Sequence, residues 1–138
     1  MRIVIAGAGA AGPALEGYIS KSGMRAQNSA VDTISIKDDL LFFTTINDEK
    51  PIGICGSGII DLMAQMRLHG WINIAGKLNP EASDRIQYIS EEEDFAVVYA
   101  TEEESQTGEA LYFTQTDIEQ YLDTKAAAFT MIDSLLGT

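Results

Sequence analysis

The alternation of apolar and polar positions divides the chain into short segments. Arg2–Ala6 is an apolar run that ends in the glycine/alanine loop 7–13, which is closed by Pro13. Gly17 limits any following helix to about one turn. Val31, Ile34 and Ile36 sit among polar neighbours and predict a strand; Asp38-Asp39 predicts a turn, and Leu40–Ile46 a second strand. After the turn 47–51, Gly53-Ile54-Cys55-Gly56-Ser57-Gly58 leads into Ile59–His69, where Ile59, Ile60, Met63 and Met66 recur at helical spacing. Gly70 closes that helix, and Trp71 and Ile72 pack back on its end. Residues 73–85 read as loop. Ile86–Ile89, Phe95–Ala100 and Ala110–Phe113 read as an antiparallel meander of short strands. Thr114 caps a last helix, its hydroxyl accepting from the N–H of Thr116 or Asp117. The stripe Ile118, Tyr121, Leu122, Lys125, Phe129, Ile132, Leu136 runs to the end. These elements predict an α+β domain with a small antiparallel sheet and two main helices.

Composition narrows the chemistry. The single Cys55 excludes an internal disulfide framework and an iron–sulfur cluster held by this chain alone. With His69 as the one histidine, a structural zinc site lacks ligands. No run approaches the roughly 20 apolar residues of a membrane span, and Arg2 followed by four apolar residues and glycine is not a signal peptide; cytoplasmic location is the default expectation. The net charge of −12 repels phosphate backbones, which disfavours nucleic acid as a partner. Much of it lies in Glu91-Glu92-Glu93-Asp94 and Glu102-Glu103-Glu104, read as solvated loops between strands or, alternatively, as an acidic face that docks a basic protein.

Two glycine loops carry the candidate chemistry. Gly7-x-Gly9-x-x-Gly12 after a strand has the spacing of an NAD- or FAD-binding loop. Three things oppose that reading: Gly17 and Gly23 leave no long helix to face a pyrophosphate, Asp32 precedes its strand instead of closing one, and no βα repeat follows. The second loop, Gly53 to Gly58, presents a helix start with Ser57 as the expected N-cap and Asp61 expected on the first turn. It lacks the Lys-Ser/Thr pair of a Walker A loop. Cys55 reads as a small buried residue.

Three blocks, Ala10–Gly17 running on to Ser22-Gly23-Met24-Arg25-Ala26, Pro51–Asp61, and Phe113–Glu119 with Lys125-Ala126-Ala127, together resemble the reductive activators of corrinoid proteins. These are iron–sulfur proteins with a C-terminal actin-like, sugar-kinase-like (ASKHA) ATPase domain. Leu15 stands where the family usually has Phe, and Tyr18–Lys21 replaces a more glycine-rich link. The resemblance implies a single partial domain over 1–138, the second half of the ATPase domain, without the ferredoxin-like domain. It implies that ATP and magnesium serve the intact parent. A two-iron, two-sulfur cluster also belongs to the parent and not to this chain. The implied activity is ATP-driven electron transfer that returns a corrinoid protein to the cob(I) state, with this segment inactive alone. Gly12, Glu16, Gly56, Ser57 and Gly58 are implied to line the nucleotide cleft or the interface that senses it. The corrinoid protein is the expected partner, and exposed faces of the first strand and last helix predict a homodimer of the segment. Gly7 and Gly9 then complete a dinucleotide spacing by accident.

Overall fold

The computed structural model describes residues 23–124. The expected strand 2–6, the loop 7–13, Gly12, Glu16 and the stripe from Lys125 onward lie outside the described residues.

The first sheet grows from a hairpin. Strand β1 (Ala30–Lys37) pairs antiparallel with β2 (Leu40–Thr45) across Asp38-Asp39. Both turn residues have positive φ, 54° and 61°, as a two-residue primed turn requires, and aspartate tolerates that region better than most side chains. After a short 3-10 turn at Ile46–Asp48, β3 (Gly53–Ile54) pairs parallel to β1 at Ala30 and Val31 only. The order is β2-β1-β3. This first sheet is mixed, because β3 feeds directly into a helix that folds back over β1; the small antiparallel sheet expected from the sequence is the second one.

That helix, α1 (Gly56–Leu68), begins three residues before the expected Ile59. Its N-cap is Cys55, with extended backbone and no side-chain cap bond, so the expectation that Ser57 caps it is corrected. Gly70 ends it as foreseen. With φ at +77° it adopts the left-handed conformation, and the Trp71 N–H donates to the Met66 carbonyl at 2.9 Å. Ile59, Leu62, Met63 and Met66 face inward, while Ile60 and Leu68 stay exposed.

The second half is the predicted meander: β4 (Ile86–Ile89), β5 (Asp94–Ala100) and β6 (Leu111–Thr114), all antiparallel in the order β4-β5-β6. A second helix, α2, occupies 115–124 of the described chain. Thr114 Oγ1 accepts from the Asp117 N–H at 3.0 Å, as expected, and Asp117 Oδ2 accepts from the Thr114 N–H at 2.9 Å, closing a reciprocal capping box. Asp94 adds a third acceptor from the neighbouring strand: its Oδ2 takes the Thr116 N–H at 2.9 Å and hydroxyl at 2.7 Å. One apolar cluster joins the halves. It contains Val31, Ile34 and Ile36 of β1, Leu62 and Met66 of α1, Trp71 and Ile72, Val97, Tyr99 and Phe113 of the meander, and Ile118 and Tyr121 of α2.

The acidic runs are only partly solvated. Glu92 accepts the Tyr112 hydroxyl at 2.8 Å; burial and then that carboxylate push the tyrosine up to about 12, which keeps it a donor. Glu104 accepts the Thr101 N–H at 2.9 Å and faces Arg85 at 3.4 Å. The segment beyond it is tied down as well: Gln106 donates its backbone N–H to the Pro51 carbonyl at 2.8 Å and its side chain to the Lys50 carbonyl at 3.1 Å. Glu91, Glu93, Glu102 and Glu103 remain exposed.

Two outcomes test this packing. Asp61 Oδ2 accepts the Ile34 N–H at 3.1 Å from across the α1–β1 interface. Asp61→Ala leaves that donor without a partner, and thermal or urea unfolding should show a loss of about 1–3 kcal/mol. For Glu104, burial alone raises the pKa, but the Thr101 N–H and the Arg85 guanidinium outweigh it and hold the carboxyl below its ordinary value. A folded pKa below the unfolded one contributes stability above the ordinary carboxylate range and loses it as pH falls through the lowered value. The stability difference between the natural chain and Glu104→Gln, read from thermal midpoints across acid pH, should therefore be present at neutral pH and shrink on acidification.

Candidate functional site: the glycine turn at the start of helix α1

Gly53 and Ile54 extend the sheet, then the backbone turns sharply into α1. The Cys55 N–H donates to the Val31 carbonyl at 3.1 Å, continuing the parallel ladder by one residue. The Ile59 N–H then donates to the Cys55 carbonyl at 3.0 Å, the first bond of the helix. Ser57 is exposed, and its hydroxyl donates to the Asp32 carbonyl at 3.0 Å. Cys55 is buried as expected, its sulfur 3.4 Å from both the Val31 carbonyl and the Ser57 hydroxyl.

Gly58 is where the sequence is least replaceable. A Cβ there would lie 2.3 Å from the Val31 carbonyl oxygen and 2.8 Å from Ile54 Cγ1. Glycine is required by the close approach of the helix to β1, not by a left-handed φ.

The Asp61 expectation needs correction. Asp61 is not on the first turn, which carries no acidic side chain. Its carboxylate faces β1, and Gln65, one turn on, does the same, with Oε1 accepting the Ile36 N–H at 2.8 Å. The start of α1 therefore combines a glycine-lined backbone, one exposed hydroxyl and the positive end of a helix of 13 residues, with no carboxylate in its first turn. That arrangement suits an approaching anion.

Of the five site residues expected, Gly56, Ser57 and Gly58 lie together at this turn; Gly12 and Glu16 lie outside the described residues. Asp32, expected ahead of its strand and weighed only against a ribose, lies inside β1, and its link to this turn is not visible in the sequence. Its carbonyl receives Ser57, and its carboxylate accepts the Thr44 hydroxyl at 2.8 Å, linking the helix start to β2. The signal for Asp61 and Gln65 was present as two polar residues four apart within an apolar helix. The described strands are paired antiparallel except for the short β1–β3 ladder, which does not build the parallel βα units of a dinucleotide fold. Among the described residues, no group of three or more His, Cys, Asp or Glu side chains could hold a metal ion, and no helix is long and apolar enough to cross a membrane.

Comparison with known proteins identifies the family. The family model for the C-terminal domain of RACo, the ASKHA domain, matches residues 1–138. The corrinoid activation enzyme RamQ of Eubacterium limosum is 29% identical over 127 residues, covering 88% of this chain and 21% of that protein. A solved structure of a reductive activator for corrinoid, iron-sulfur protein superposes with a TM-score of 0.76 at 34% identity, over 91% of this chain and 20% of that one. The chain thus spans about a fifth of the length of either relative.

Gly58→Ala tests the close approach. Alanine's helix preference alone would stabilise α1 by about 1 kcal/mol. The clash with a backbone carbonyl should reverse that sign and destabilise the chain by roughly 1–3 kcal/mol in equilibrium unfolding; a stabilised variant would contradict the packing described.

Proposed function

The chain belongs to the RACo C-terminal, ASKHA-domain family, and from that membership we propose that it forms part of an ATP-dependent reductive activator that restores corrinoid proteins to the cob(I) state. In this reading residues 1–138 are the second half of the ATPase domain of a larger protein. The intact protein uses ATP hydrolysis to drive an uphill electron transfer from its own two-iron, two-sulfur cluster to the corrinoid of a partner protein, in the cytoplasm. Domain closure around nucleotide is the step that couples the two events.

The observation that supports this reading is the α1 start. Gly56, Ser57 and Gly58 form an exposed-to-buried turn whose helix is locked onto β1 and whose first turn is free of carboxylates. The local chemistry fits a phosphate-facing element: backbone N–H groups at a helix start suit the negative charge of ATP, and the Ser57 hydroxyl beside them ties the turn to the Asp32 carbonyl. Gly56, Ser57 and Gly58, with Gly12 and Glu16, are the residues proposed to line the nucleotide cleft or the surface that senses its closure. Magnesium is proposed to be held by phosphates and by carboxylates other than these, since this turn offers none. The isolated segment supplies one wall of such a cleft and so is proposed to be inactive alone.

Calorimetric titration of the isolated 138-residue chain with ATP and magnesium should show little or no binding. The full-length activator should hydrolyse ATP when its corrinoid partner is present, and Ser57→Ala in that protein should lower the rate. Full ATPase activity from the isolated chain would overturn the assignment.

A further inference from the structure

The second feature that calls for a partner is the outer edge of β2. The N–H groups of Ile34 and Ile36 point away from β2 and are taken by α1. Their cross-strand partners are Phe43 and Leu41. In an antiparallel ladder such pairs are the ones not hydrogen-bonded to each other, so the N–H and carbonyl groups of Leu41 and Phe43 also point away, on the opposite side. Among the described residues no strand pairs with β2 on that side. Leu40 and Phe42 are 61% and 52% exposed.

This edge opens onto a solvent-accessible groove. A groove of about 650 Å³ runs from the hairpin tip past residues 38–42 to the segment 81–85. A second, of about 320 Å³, continues past Phe43–Thr45, and Glu104 lines both. Consecutive strand residues line the groove, so it follows the edge of β2 and not one face of the sheet. Its rim is acidic, with Asp38, Asp39, Glu81 and Asp84. Among the described residues the one cation lining the larger groove, Arg85, is engaged by Glu104 at 3.4 Å, and Lys50 of the smaller donates to the Glu103 carbonyl at 3.0 Å.

We propose that the β2 edge is a strand-addition site for an extended, basic segment of a partner protein, its backbone pairing with Leu41 and Phe43 and its lysine or arginine side chains meeting the acidic rim. Main-chain pairing supplies affinity and the alternate side chains supply selection. A second copy of this chain is the wrong occupant: at −12, two such edges would bring carboxylates against carboxylates. The site is separate from the glycine turn and does not depend on what binds there.

The test is amide hydrogen exchange, followed by NMR, on the 138-residue chain titrated with a short peptide of alternating lysine and valine and, separately, with one of alternating glutamate and valine. The lysine peptide should slow exchange at Leu41 and Phe43 by roughly tenfold or more at saturation, with affinity falling as salt rises. The glutamate peptide should leave both amides unchanged. Glu81→Lys with Asp84→Lys, both exposed side chains, should weaken the lysine peptide about tenfold, while unchanged protection at Val97 in the core confirms that the variant is folded. Equal protection by both peptides, protection at other amides only, or no protection by the lysine peptide would overturn the proposal. So would protection of Leu41 and Phe43 that rises with protein concentration without peptide, because the occupant would then be a second copy.

Discussion

The structure depends on how one edge of β1 is satisfied. β3 pairs with it for only two residues, Ala30 and Val31. Beyond that point the backbone groups of β1 would be buried under a helix with no strand to receive them, at a cost of about 1–3 kcal/mol each. The segment from Cys55 to Gln65 replaces the missing strand group by group. The Cys55 N–H serves the Val31 carbonyl, Ser57 the Asp32 carbonyl, Asp61 the Ile34 N–H and Gln65 the Ile36 N–H. Helical spacing makes this feasible, since positions 57, 61 and 65 lie one above another on one face. Gly58 follows from the same constraint: a helix that must bring short side chains to a strand edge lies so close that no Cβ fits beside Val31.

Local patterns were read well wherever the signal was local. The hairpin, Gly70 as the helix terminator, the meander and the Thr114 cap each rest on turn chemistry or on short apolar runs, and each appears where the sequence places it. The α1 start was misread because a glycine-serine pair before an apolar run looks like a cap, whereas the parallel ladder carries Cys55 to the cap position and draws Ser57 into the helix. The parallel β1–β3 pairing was not legible at all. It is two residues long and is fixed by partners more than 20 positions apart, which no window of alternation reports. The candidate site was legible at Gly56, Ser57 and Gly58 as a motif. Its link to Asp32 was not, because that bond goes to a backbone carbonyl that any residue could offer.

Charge illustrates the same separation of local from tertiary causes. The eye is drawn to the two acidic runs, yet each has members that turn inward: Asp94 caps a helix, Glu92 holds Tyr112, and Glu104 anchors its own loop against Arg85. The acidic groove takes only Glu104 from these runs and is otherwise assembled from a hairpin tip and the 81–85 segment, about 40 positions apart in sequence. Runs of like charge thus mark where carboxylates are abundant. The fold decides which of them face a cavity.

These observations bear on how the glycine turn can act. Ser57, Asp61 and Gln65 are bonded to three consecutive stations along β1, so α1 cannot slide or tilt on that strand without breaking all three bonds together. Asp32 extends the connection to Thr44 of β2. The helix start and the hairpin therefore form one rigid piece, in which internal rearrangement costs several hydrogen bonds at once, two of them part-buried. In the closure around nucleotide proposed above, such a piece would move as a body, with hinges outside it. The phosphate-sensing role proposed for this turn needs such stiffness: a displacement at Ser57 would pass to the hairpin as a whole instead of being absorbed along the way.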